Sequence, residues 1–142
     1  MTNTAATSQV PFVGYLHLNE GDPYLVAHEC RSCHARFFDR RNLCARCSGA
    51  EFAEVRVATN GTLRSFSIVA FAGPGVEVPF VAALVDCDGT TVRGNLINCA
   101  PTPAAVHLGM PVRLATYSLG TDKNGVEAIN YGFEPDKGKD AR

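Results

Sequence analysis

Beyond residue 50, apolar and polar residues alternate along most of the chain with a period of two. That is the spacing of strands with one face inside. Phe52 to Thr59 alternates and runs into Asn60-Gly61, a dipeptide that favours tight hairpin turns. Leu63 to Phe71 follows, with Leu63, Ser65, Ser67, Val69 and Phe71 on one face. After a loop at Gly73-Pro74-Gly75, Pro79 to Cys87 is almost continuously apolar, the pattern of a strand buried on both faces. Asp88-Gly89 marks a second hairpin turn into Thr91 to Ile97, within which Gly94 predicts a bulge or tight bend. Pro103 to Leu108 predicts one helical turn, stopped by Gly109 and Pro111. Val112 to Leu119 and Val126 to Phe133 complete the set, joined by a turn at Asp122 to Gly125. Five or six strands with a short helical element between the third and fourth major ones predict a mainly β fold, an OB-type Greek-key barrel. An open sandwich is the structural alternative.

Ahead of the barrel the pattern changes. Tyr24 to Ala27 predicts a short strand, and after it come Cys30-Arg-Ser-Cys33, ten residues, and Cys44-Ala-Arg-Cys47. Two Cys-x-x-Cys turns so close together point to one tetrahedral metal site, with zinc the best match to four soft thiolates. Phe37-Phe38 lies on the return between them, as in a rubredoxin-like zinc ribbon. So small a module cannot bury enough apolar surface alone, and the metal is expected to supply folding energy. Two rival readings exist. Cys30-x-x-Cys33-His34 spells a haem-attachment pattern, but leaves Cys44 and Cys47 without a role; a thioredoxin-like redox pair lacks its βαβ setting. His28 and His34 flank the first pair and are read as bystanders. Cys87 and Cys99 each end an apolar run and are read as small hydrophobes. The expected layout is a partly disordered lead-in over 1–23, a ribbon over 24–50, a barrel over 51–134 and a loose charged tail over 135–142.

Composition narrows the function classes. The chain has 142 residues, is 46% hydrophobic and 19% charged, and carries a formal net charge of −1. A general nucleic-acid binder is usually more basic. The first ten residues lack the basic and apolar regions of a secretory signal, so a cytoplasmic location with reduced cysteines is expected. Charge placement says more than the total. Arg31, Arg36, Arg40, Arg41 and Arg46 crowd into the ribbon with Asp39 among them, whereas the three lysines fall between residues 123 and 139. Guanidinium groups offer planar paired donors to phosphates, so the cluster is a candidate surface for phosphate or for a partner. Catalytic groups are not assembled at any recognisable spacing. Asp86 and Asp88 flank a turn, and Glu54, Glu77 and Glu127 are isolated.

The order of parts resembles a known family, the acyl-CoA-associated zinc-ribbon/OB-fold proteins, over about residues 24–133. The carrying motifs are the two cysteine pairs with Phe37-Phe38-Asp-Arg40-Arg41 between them, Gly61-Thr-Leu-Arg-Ser-Phe-Ser, Pro79-Phe-Val-Ala-Ala-Leu-Val, Gly109-Met-Pro-Val and Ala128-Ile-Asn-Tyr-Gly-Phe-Glu-Pro. Family members usually have glycine after the first cysteine pair, where this chain has His34. The resemblance implies a non-catalytic small subunit of a thiolase-type acyl-CoA acyltransferase, similar to the small subunit of benzoylsuccinyl-CoA thiolase. Such a subunit docks on a thiolase-like catalytic subunit in a hetero-oligomer and helps form its coenzyme A ester site. In this chain the ribbon arginines, with Phe37 and Phe38, would face CoA or the partner. Partner subunits of CoA-ester aldolases or hydratases belong to the same family, and a nucleic-acid-binding ribbon/barrel module is the reading from another class.

Overall fold

The computed structural model describes residues 8–136. Ten strands follow in chain order: β1 (Ser8–Pro11), β2 (Leu16–His17), β3 (Tyr24–Cys30), β4 (Arg36–Phe37), β5 (Phe52–Arg56), β6 (Asn60–Val69), β7 (Phe80–Cys87), β8 (Thr90–Leu96), β9 (Pro111–Thr121) and β10 (Val126–Pro135). Strands β6, β7, β8, β10 and β9 are hydrogen-bonded in that order, and β9 returns to β6, so the five close into a barrel. Only β8 and β10 run parallel within the ring. The expected OB-type architecture is present, preceded by a small antiparallel sheet in which β3 pairs with β2, β4 and β5.

The barrel interior is a band of alternate residues. Leu63, Val81, Val85, Val92, Val112 and Phe133 are all buried below 2% exposure. Truncating a ring such as Phe133 to alanine in a core of this kind costs about 3–5 kcal/mol. Leu16, Leu25 and Ala27 from the lead-in and β3 belong to the same core, so ribbon and barrel pack as one body. At Asp88-Gly89 both residues take positive φ, 52° and 92°, the two-residue turn the sequence predicts. The Asp86 carboxylate accepts the Gly89 N–H at 2.7 Å.

Several local expectations are corrected. Asn60-Gly61 is not a turn: it opens β6 and pairs with Arg113 and Val112. A Cβ at Gly61 would lie 2.6 Å from Val85 Cγ1 and 2.7 Å from the Asp86 carbonyl, so the glycine permits close strand approach. The preceding run ends at Arg56 and pairs with β3, outside the barrel's hydrogen-bonded ring. In β6 a register shift between Leu63 and Ser65 turns Phe66 and Ile68 toward the core in place of Ser65 and Ser67. Strand β7 is buried on one face only, with Leu84 on the other face 39% exposed. Gly94 sits in regular pairing with Ala83; a side chain there would press on the Tyr131 and Phe133 rings. The segment after Pro101 makes one hydrogen-bonded turn, with the Ala105 and Val106 N–H groups donating to the Thr102 carbonyl, and forms no helix.

The ends also differ. Ser8–Pro11 is a strand along β10, and Pro135 closes β10. Asp136 is buried and accepts a hydrogen bond from Asn60 at 2.8 Å. The rest of the predicted disordered start and of the loose tail lies outside the described residues.

One seam of the barrel is thinly laddered. β8 and β10 share only the register pairs Gly132 with Asn95 and Phe133 with Leu96. Where the ladder stops, the Tyr131 hydroxyl donates to the Arg93 carbonyl at 2.6 Å. Tyr15 stands against Tyr131 at 5.9 Å between ring centroids, and Phe38 from the ribbon stacks on Tyr15 at 4.7 Å.

The close approach at Gly61 gives a direct test. Gly61→Ala is expected to lower stability in urea unfolding by about 2–3 kcal/mol, the cost of overpacking against backbone. Gly73→Ala, with nothing within 4 Å of the new methyl, should change it by less than about 0.5 kcal/mol. Equal effects would show that the strand approach at Gly61 is looser than described.

Candidate metal centre and adjoining cleft

Each Cys-x-x-Cys turn is built the same way. At the end of β3, the Cys30 N–H donates to the Ala35 carbonyl at 2.8 Å and the His34 N–H to the Cys30 carbonyl at 2.9 Å. In the second turn the Cys44 N–H donates to Gly49 at 2.7 Å and the Ser48 N–H to Cys44 at 2.8 Å. Both turns close on a residue in the left-handed region, His34 and Ser48, each at φ 67°. Glycine adopts that conformation freely. A side chain there costs about 1–2 kcal/mol.

The two turns aim four sulfurs at one point. All four Sγ atoms lie within 4.8 Å of one another, with Cys30–Cys47 and Cys33–Cys44 each at 3.6 Å. Zinc–sulfur bonds of about 2.3 Å place tetrahedral ligands about 3.8 Å apart, so the cluster has the size of such a site. Its electrostatics also fit a cation. The N–H groups of Cys33 and then Ser32 hold the Cys30 thiol down to about 6. Cys47 lies against the Gly49 N–H, which favours its thiolate, yet its neighbours Cys30 and Cys33 push it up to about 12. Four adjacent thiols cannot all ionise against one another without a positive charge among them. The four cysteines could therefore hold a zinc ion. Neither His28 nor His34 belongs to the cluster. His34 instead shares Glu29 with Arg36, its Nδ1 3.1 Å from the carboxylate. Gly49 packs against the sulfurs, where a Cβ would stand 3.3 Å from both Cys30 and Cys47 Sγ.

The ribbon arginines separate in space. The Arg36 Nε donates to Glu29 at 2.9 Å, and its terminal nitrogen to the Thr90 hydroxyl of the barrel at 2.8 Å. Arg41 lies over the Phe37 ring at 4.4 Å and beside Asp39 at 3.4 Å. Arg31, Arg40 and Arg46 make no ion pair among the described residues. Between ribbon and barrel runs a cleft of about 490 Å³, with His34, Arg36, Phe37, Phe38 and Arg46 on one side and the Asp88–Thr91 turn on the other. Of the residues singled out in the sequence, Arg36, Arg46, Phe37 and Phe38 meet there; Arg31, Arg40 and Arg41 do not line it. Sequence reasoning missed the barrel wall of this cleft, because nothing in a hairpin turn such as Asp88-Gly89 signals that it faces a ribbon. Among the described residues no helix is long and apolar enough to cross a membrane.

A four-cysteine ribbon packed on a closed five-strand OB-like barrel is thus the class of protein that the fold and site define. The family model of the ChsH2 C-terminal OB-fold domain matches residues 54–117. A solved structure, that of an "Ltp2-ChsH2(DUF35) aldolase", is similar with a TM-score of 0.60 and 28% identity, covering 79% of this chain and 84% of that one. Both support the family named from the sequence at the level of its OB fold, and neither singles out the thiolase small subunit. No curated protein matches the chain.

Cys44→Ser is expected to reduce bound zinc from about one equivalent to near none in elemental analysis, with loss of the ribbon's protection in hydrogen exchange. Retention of full zinc would dismiss the four-sulfur site. Acid should do the same to the native chain. Zinc displaces the protons of its thiol ligands, so falling pH opposes binding. Zinc release measured with a colorimetric chelator should accordingly rise as pH drops from 8 to 5.

Proposed function

We propose that this protein is the zinc-containing, non-catalytic small subunit of a cytoplasmic enzyme that makes or breaks a carbon–carbon bond in an acyl-CoA ester. Cys30, Cys33, Cys44 and Cys47 hold one structural zinc, which fixes the ribbon and takes no part in the chemistry. The chain docks on a catalytic subunit in a hetero-oligomer and helps form its CoA site. The cleft supplies the chemistry for that role: Arg46 and the unbonded edge of Arg36 offer donors to the CoA phosphates, with Phe37 and Phe38 beside them. Arg31, Arg40 and Arg41 are assigned to the same acidic ligand or to the partner surface.

The observation that carries the reading is the likeness to the ChsH2 aldolase structure over 79% of the chain. That span exceeds the barrel's Asn60–Pro135 alone, so it extends beyond the OB domain. The motifs quoted above favour a thiolase-type acyltransferase as the catalytic subunit, as in benzoylsuccinyl-CoA thiolase. The solved relative, itself an aldolase, favours an aldolase as the second reading. The reacting groups belong in either case to the catalytic subunit.

A tagged chain recovered from native extract should bring down a thiolase-fold protein near one-to-one, identified by mass spectrometry. Its assay with acyl-CoA then separates thiolysis from aldol cleavage. Recovery of nucleic-acid-bound proteins, or of this chain alone, would sink the reading. In the assembled complex, Arg46→Ala should raise KM for the acyl-CoA about fivefold with kcat unchanged, the loss of one exposed charge-assisted contact. An unchanged KM would remove Arg46 from the CoA site.

A further inference from the structure

The thin seam between β8 and β10 leaves a second cavity, of about 280 Å³, that the preceding reading does not use. It shares only Phe38 with the ribbon–barrel cleft. Its walls are aromatic: Tyr15, Phe38 and Tyr131 are already packed ring on ring, and Phe12, 61% exposed, stands at the rim. Its polar groups are mostly donors. Among the described residues the Arg93 guanidinium has no carboxylate within ion-pair distance, and the Asn95 amide makes no hydrogen bond. The Tyr117 hydroxyl accepts from the Asn130 amide at 3.2 Å and keeps its own proton to give. Tyr131 is not available to a ligand in the same way. Its hydroxyl is committed to the Arg93 carbonyl, and burial, then Tyr15, raise it above the ordinary phenol range. Arg93 is exposed and solvated, so an oxyanion adds a charge-assisted contact that a neutral ligand cannot make, while a purely apolar ligand would bury unpaired amide and hydroxyl groups.

We propose that this seam pocket binds a small planar ring compound carrying an anionic group. The ring lies against Tyr15 and Phe38, and the anion meets the Arg93 guanidinium and the Asn95 amide. The volume admits one ring system with its anion. Gly94 lines the pocket, and a side chain there would press on the Tyr131 ring at 3.1 Å and displace a wall of the pocket. The same chemistry fits an aromatic carboxylate or a nucleoside monophosphate, since both join a flat ring to an oxyanion.

The two sources are separated with two probes on the full zinc-loaded chain: 2-naphthoate by fluorescence titration and adenosine monophosphate by calorimetry. At least one should bind saturably at one-to-one. Its neutral counterpart, 2-naphthalenemethanol or adenosine, should bind about tenfold more weakly, the loss of a charge-assisted contact. Arg93→Leu should weaken the anion by about the same factor, while Arg64→Leu, an exposed arginine away from the pocket, should leave it unchanged. Saturation by neither probe, equal binding of the neutral counterpart, or unaltered affinity in Arg93→Leu would overturn the proposal. None of these outcomes depends on the CoA reading, which Arg46→Ala tests in a separate cavity.

Discussion

From Arg31 to Ala50 the only buried side chain is the Cys44 thiol. Apolar burial there is limited to half-buried side chains such as Phe38, so a metal held by the four sulfurs would supply much of the order of this stretch. A cation there would reconcile four thiolates and hold Cys30 to Cys47 and Cys33 to Cys44; without one, repulsion keeps the four thiols from ionising together. The backbone of each turn is arranged to serve that centre. His34 and Ser48 accept a disfavoured conformation so that amides can point at sulfur, and Gly49 stays bare because the sulfurs occupy the space a Cβ would need.

The ordering of the ribbon reaches into the barrel. The return strand after the first turn carries Arg36 to Thr90 and Phe38 to Tyr15, and Tyr15 leans on Tyr131 at the weakly laddered seam. The barrel closes its ring by hydrogen bonds, but where β8 and β10 part it relies on a phenol bonded to a carbonyl and on rings delivered by another module. Buried backbone carbonyls are costly to leave unpaired, so the Tyr131 hydroxyl at Arg93 takes the place of a missing ladder bond.

The parts legible in the sequence are those whose signal is local. Cysteine spacing located the four thiols, and Asp88-Gly89 located its turn, because each depends on residues within a few positions. Alternation identified strands but not their partners, so the run after Phe52 looked like barrel although it completes the ribbon sheet. One extra residue near Arg64 flips a whole face without altering composition. The apolar run of β7 looked doubly buried because period and hydropathy cannot tell a second buried face from an exposed apolar one. The cleft was half legible: the arginine cluster was visible, but Arg36 and Arg46 are selected from it by the barrel turn that faces them. Asn130 and Tyr131 stood within a quoted motif, yet their pocket arises only when β8, β10 and the ribbon meet.

Phe38 is the common wall of that pocket and of the cleft, placed by the pairing of the preceding β4 with β3 and by its packing on Tyr15. Neither cavity is therefore a property of the barrel alone. An isolated OB barrel of this sequence would keep Arg93 and the Asp88–Thr91 turn but lose the ring that faces both. On a chain with a net charge of −1 the ribbon gathers guanidiniums and sets two of them, Arg36 and Arg46, against one edge of the barrel. A zinc ion held by the four cysteines would touch no ligand in this arrangement, yet by ordering the ribbon it would help set where that one aromatic side chain stands.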